Sequence, residues 1–188
     1  MVARRRRRPR DPMRVLGIDC GSRSTGYGII DSDEGRQQPV VFGAISLPAK
    51  HSLGARLVTV HRQLRQLIDS YTPQVAAVED QFYLTNFKSV MKLGQVKGVV
   101  ICTAALAGIP IVEYSPLEIK NAVTGYGRAD KQQVQAMVGR LLGLAKPPQP
   151  HDAADALALA LCHAQVMTTE SRIRRGISRT NVPLSSRS

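Results

Sequence analysis

The stretch LGIDCGSRSTGYGII, residues 16–30, restricts the possible folds more than any other part of the chain. An apolar run ends on Asp19, a short polar segment rich in Gly and Ser follows, and a second apolar run begins at Thr25. Runs this short, separated by turn residues, predict strands over 14–20 and 25–31 joined by a turn at 21–24. Residues 40–47 read as a third strand, close enough in sequence for an antiparallel meander. The stretch admits two chemistries. Gly21, Ser22, Ser24, Thr25 and Gly26 can cradle the phosphates of a nucleotide. Alternatively, Asp19 is a metal-binding carboxylate at a strand end, and the loop merely reverses the chain.

Helical spacing takes over at residues 52–70, where Leu53, Leu57, Val60, Leu64, Leu67 and Ile68 share one face with arginines opposite. Pro73 stops this helix. Residues 75–78 form a short, wholly apolar strand that runs out at Glu79 and Asp80. A long helix is expected over 85–107, with Gly94 and Gly98 spaced for the close approach of another backbone. Residues 110–114 read as a fifth strand. Ser115 and Pro116, a cap and a first-turn proline, open a helix to 123, and Asp130 caps another to 144. After the Pro-rich segment 146–150, an Ala/Leu helix begins at His151 or Asp152 and runs to 166. The order βββαβαβααα predicts an α/β fold, a five-stranded mixed sheet flanked by helices.

The net charge of +12 lies mainly at the ends of the chain. Residues 1–14 carry seven arginines against one acid and residues 165–188 five against one, leaving only +2 between them. The ends are therefore read as a basic, disordered extension (1–12) and a basic, disordered tail (167–188) around one domain (13–166). Such tails attract any polyanion without selecting one, so charge alone does not indicate a nucleic-acid partner. No apolar run approaches the roughly 18 residues of a membrane span. The longest candidate, 99–111, is interrupted by Thr103, Gly108 and Pro110, and the N-terminal arginines precede no signal-like apolar core. Cys20, Cys102 and Cys162 are widely spaced and lack a CxxC pair, which argues against zinc and disulfides and suits a reducing cytoplasm.

Carboxylates mark the chemistry. Asp19 ends the first strand and Glu79 the fourth, so both project into one mouth if the two strands are neighbours. Asp152 and Asp155, three apart on the opening turns of a helix, can point the same way, and the helix dipole favours negative charge there. Four converging acids repel one another unless a cation lies among them, and oxygen-only ligands suit Mg²⁺ or Mn²⁺. Each has a plainer reading. Asp152 can be a helix cap and Asp19 a turn residue. Glu79, closing an apolar strand, is poorly explained by turn chemistry.

Four blocks in order, LGIDCGSRSTGYGII, AVEDQFY, SVMKLGQVKGV and PHDAADALALA, resemble the RuvC family of bacterial Holliday-junction resolvases along nearly all of residues 13–165. The resemblance implies an RNase H-like fold, a homodimer and Mg²⁺-dependent cleavage of four-way junction DNA in recombination and repair. Two ions per site (Mn²⁺ being an alternative), ligatable nicks with 5′-phosphate and 3′-hydroxyl ends, and RuvA and RuvB as partners come with it. By position in these blocks, Asp19, Glu79, Asp152 and Asp155 match the family's catalytic, metal-binding acids. Lys120 and Lys131 match its phosphate-binding lysines, and Arg128 is placed to assist them. Phe82, beside Tyr83, matches an aromatic that stacks on or wedges against a base at the crossover. Cys20 departs from the pattern, which often has proline there. It is read as a small, partly buried residue rather than a soft-metal ligand.

The remaining candidates are weaker. His151 is read as a helix-end residue more than a proton carrier, and His163 as a helix-face histidine. Lys88 and Lys92 share a face that meets either DNA backbone or water. A kinase of the sugar-kinase and actin class would need a second lobe and a second phosphate loop, for which 188 residues leave no room. An RNase H-like nuclease acting on RNA uses the same phosphate chemistry, so the acids do not separate it from a DNA enzyme. A catalytically silent junction-binding dimer is disfavoured by four intact carboxylates.

Overall fold

A computed structural model describes residues 12–80 and 87–180. Five strands and five helices follow in the predicted order: β1 (Met13–Asp19), β2 (Ser24–Asp33), β3 (Arg36–Ser46), α1 (Leu53–Tyr71), β4 (Val75–Glu79), α2 (Phe87–Leu106), β5 (Ile111–Tyr114), α3 (Pro116–Thr124), α4 (Lys131–Leu141) and α5 (His151–Thr180). The sheet order is β3-β2-β1-β4-β5. β1–β2 and β2–β3 pair antiparallel, whereas β1–β4 and β4–β5 pair parallel. Asp19 and Glu79 therefore end neighbouring parallel strands at the same edge of the sheet.

Helices cover both faces, which is why β1 and β4 read as unbroken apolar runs. Val15 packs with Leu157 and Leu161 of α5 on one side, and Leu16 and Ile18 pack with Val60 and Leu64 of α1 and Val96 and Val100 of α2 on the other. Three glycines let α5 lie directly on the sheet. A Cβ on Gly17 would stand 1.9 Å from Ala156 O, one on Gly26 1.9 Å from Asp152 O, and one on Gly28 2.8 Å from the Leu157 side chain. Gly17 pairs with Gly28 across the strands, and Gly26 pairs with Asp19 itself. Any side chain at these positions would lift the helix away.

The structure departs from expectation in five places. β2 and β3 are longer than predicted and meet in a two-residue turn, Glu34–Gly35, both with positive φ. This is the geometry of a tight hairpin, and Glu is an unusual residue for it. Pro39 is tolerated inside β3 because that strand is an edge, close to a register shift at Ile29/Ile30. α4 stops at Leu141 rather than 144, its end followed by Gly143 at φ 63°.

α5 continues past 166 to Thr180, through most of the segment read as a disordered tail. No Gly or Pro interrupts residues 151–175, and Thr168 and Thr169 return their hydroxyls to Ala164 O and Gln165 O. Among the described residues of this chain, no other backbone reaches Gly94 or Gly98, since a Cβ on either would find nothing within 4 Å. Finally, the segment Ser89–Leu106 of α2 is long and apolar enough by composition to cross a membrane, with mean hydropathy 1.3 and 22% of it buried. Here its Val96, Val100 and Ala104 pack against the sheet core, and Lys92 and Lys97 interrupt the apolar surface.

Candidate active site

The β1–β2 turn is held from outside the hairpin. Arg56 of α1 donates Nη1 to Ser22 O at 3.0 Å, and Leu47 N donates to Arg23 O at 2.8 Å. Ser22 and Arg23 thus serve as anchoring points for the turn. Gly26 is covered by α5 and cannot meet a ligand. The phosphate-cradle reading of this stretch fails on that contact.

Asp19 and Glu79, from the ends of β1 and β4, line a cleft of about 330 Å³ together with Asp155 from the second turn of α5. Lys120 of α3, Lys131 of α4 and Cys20 complete its polar wall, and Pro116, Ile119, Val134 and Leu159 supply apolar lining. Asp152 lies one turn before Asp155, its backbone pressed on Gly26, and its charge acts on Asp19. Asp19 records the crowding. Its carboxyl is pushed up to about 7, first by burial, then by the charges of Asp155, Glu79 and Asp152, with Lys131 pulling the other way. Lys131 holds Asp155 Oδ2 at 3.2 Å from a side chain that is 81% exposed. Its own pKa is raised, above all by Asp155.

The donors are carboxylate oxygens. Among the described residues, no three acidic, histidine or cysteine side chains are gathered tightly enough to enclose an ion as they stand. Asp155, Glu79 and Asp152 act on Asp19 through space. The Cys20 thiol, pushed up to about 12 by burial and by Asp19, stays protonated and adds no soft ligand. A buried carboxylate held partly protonated by its neighbours calls for a counter-cation, and this donor set suits a hard divalent ion.

The other predicted residues divide. Lys120 is half-buried on the cleft wall, and Arg128 is exposed in the α3–α4 loop, with Lys120 and Lys131 on the helices to either side. His151 is exposed at the start of α5, consistent with a helix-end residue. Lys92 is exposed. Phe82 and Tyr83 lie outside the described residues, as does the side chain of Lys88. His163 is a helix-face histidine, as expected; its face of α5 is buried, and its Nδ1 stands 2.7 Å from the Tyr114 hydroxyl.

Sequence reasoning missed two groups. Lys97, inside an apolar helix, reaches the ends of β4 and β5. Arg56 supports the turn after Asp19 from a helix whose arginines had been assigned to its solvent face. A lone cation in an apolar stretch was the available signal for the first; the second carried none.

A family model described as crossover junction endodeoxyribonuclease RuvC matches residues 15–163. The chain is 50% identical over 151 residues to the crossover junction endodeoxyribonuclease RuvC of Syntrophomonas wolfei, covering 80% of this chain and 88% of that one. It is 48% identical over 162 residues to the protein of the same name from Koribacter versatilis, covering 86% and 98%. Among solved structures, Thermus thermophilus RuvC in complex with a Holliday junction substrate superimposes with a TM-score of 0.80 at 31% identity, covering 85% of this chain and 97% of that one.

Proposed function

The chain belongs to the RuvC family of crossover junction endodeoxyribonucleases, and from that premise we propose that Asp19, Glu79, Asp152 and Asp155 are its catalytic acids. The family's activity is the chain's own: it is a metal-dependent endonuclease that resolves Holliday junctions. The observation that supports the site assignment is the convergence of carboxylates on the end of β1: Asp19, Glu79 and Asp155 line one cleft, and after burial the charges of Asp155, Glu79 and Asp152 are what raise the pKa of Asp19.

Two divalent ions, Mg²⁺ or Mn²⁺, suit these four acids. Bound there, such ions supply Lewis acidity to the scissile phosphate and a water acidified for attack. The protein's own steps follow from the geometry. Asp19 gives up its proton to become a ligand. Lys131, paired with Asp155 and largely exposed, is placed to hold a phosphate oxygen, and Asp155 would be free of that pairing if it held an ion. Lys120, on the same wall, takes a neighbouring phosphate, and Arg128 on the loop between them takes another. Phe82, three residues beyond Glu79, stacks at the crossover. The nicks carry 5′-phosphate and 3′-hydroxyl ends.

Symmetric cutting needs two sites, so a homodimer is part of this reading. The outward face of α2 supports it: Met91 and Leu106 are exposed, and Gly94 and Gly98 between them are open to a second backbone. Residues 13–166 form the nuclease domain, with residues 1–12 a basic extension. Service alongside RuvA and RuvB in the cytoplasm completes the proposal.

The test is a synthetic four-way junction incubated with the protein and Mg²⁺, beside a linear duplex and an RNA junction. Paired nicks in the DNA junction alone are expected, and Asp19→Asn should bind it without cutting. Equal cutting of linear duplex, or an active Asp19→Asn protein, would overturn the assignment.

A further inference from the structure

Behind the cleft, one cation ties α2 to two strand ends. The Lys97 side chain, 19% exposed, places Nζ 2.5 Å from Glu113 Oε2 of β5 and 3.5 Å from Asp80 Oδ1. Asp80 directly follows Glu79. Its amide donates to Tyr114 O at 2.8 Å, extending the β4–β5 ladder one step beyond its last pair, Glu79 with Tyr114. Asp80 Oδ1 is buried and makes no hydrogen bond. The ammonium is therefore the group that compensates it, and its removal would leave two carboxylates facing each other beside an acidic cluster.

The consequence concerns Glu79. It ends the fourth strand at the rim of the acidic cleft, and Asp80, the one described residue between it and α2, is tied to β5 through its amide and to α2 through Lys97. We propose that Lys97 is a positioning residue for Glu79, stitching Asp80 and Glu113 together so that the strand end keeps its carboxylate aimed into the cleft. This rests on the assignment of Glu79 as a metal ligand. Charge alone predicts the opposite behaviour. Deleting a cation near four acids makes the site more negative, which strengthens binding of a divalent ion. Positioning predicts that the ion is held less well.

The experiment measures Mn²⁺ bound to the full chain by electron paramagnetic resonance without DNA, then the Mg²⁺ midpoint for junction cleavage. Lys97→Met is expected to weaken Mn²⁺ binding about tenfold, in line with the loss of groups that orient ligands. The cleavage midpoint should rise in proportion while junction affinity in EDTA stays the same, and Lys97→Arg should recover both. Lys97→Gln, which also removes the cation but keeps a hydrogen-bond donor toward Glu113, should move Mn²⁺ binding in the same direction and serves if Lys97→Met does not fold. Unchanged or tighter Mn²⁺ binding in the folded variants overturns the proposal. If the wild type binds Mn²⁺ but cuts no junction, the functional reading fails instead and the positioning result still stands or falls on the binding data.

Discussion

Replacing Asp19 by Asn should make the metal-free protein more stable while abolishing cleavage. The native carboxyl ionises near 7, whereas an unfolded aspartate does so at 3.8. Holding it ionised at pH 8 therefore costs the fold on the order of 4 kcal/mol, at about 1.4 kcal/mol per pH unit. The sign follows from proton uptake. Between these two values the native state holds a proton that the unfolded chain has lost, so stability falls as pH rises from 4 to 7 and the full cost applies above 7. Below 4 both states are protonated and the cost vanishes. Asn carries no charge at any pH. Neighbouring acids relax to absorb part of the strain, so the variant is expected to melt about 5 °C higher at pH 8 in EDTA. More than half of that gain should be gone by pH 5. Saturating Mg²⁺ should reverse the order, because binding to the native state stabilises only the protein that retains the ligand. Differential scanning calorimetry with and without EDTA makes the comparison. An Asn variant no more stable than wild type at pH 8 without metal, or a gain independent of pH, would refute the reasoning.

Three further outcomes are expected. Gly26→Ala places a methyl group against Asp152 O and should lift the start of α5, costing about 3 kcal/mol in thermal unfolding. The same shift should lower single-turnover cleavage about 100-fold. Lys131→Met should weaken junction binding in Ca²⁺ and reduce the slope of log affinity against log salt by about one, measured by fluorescence anisotropy. His163 is held neutral by burial, its pKa lowered from 6.5, so it withdraws stability as pH falls below that value and the unfolded chain takes up a proton. In the Asp19→Asn background, where the opposing carboxyl is gone, His163→Phe should flatten the fall in melting temperature between pH 7.5 and 5.5.

The parts of the fold carried by local pattern were legible in the sequence. The strand run before Asp19, the caps at Ser115 and Asp130, and the apolar β4 ending on Glu79 each follow from neighbouring residues, and the structure has them where they were expected. Features set by a distant partner were not legible. Nothing near Gly26 says that a helix 126 residues later rests on it, and Gly94 and Gly98 carry the same spacing signal while facing open space. The Glu34–Gly35 turn escaped because Glu seldom adopts positive φ, and the long α5 because a polar composition outweighed the lack of Gly or Pro as far as Arg175. Among the candidate site residues, the acids were found through their strand-end and first-turn positions. Lys97 was hidden in a helix that reads as apolar.

The three bare positions under α5 have a practical consequence. The gap between the acid on β1 and those on α5 is a packing dimension, set by contact between a helix and a sheet with no side chains between them. The contacts that set it lie within the β1–β2 hairpin and α5 and involve no residue of the loops at 125–130 or 142–150. A methyl group at Gly26 would displace Asp152, and one at Gly17 or Gly28 would displace the next turns of α5, so this seam sets the width of the mouth.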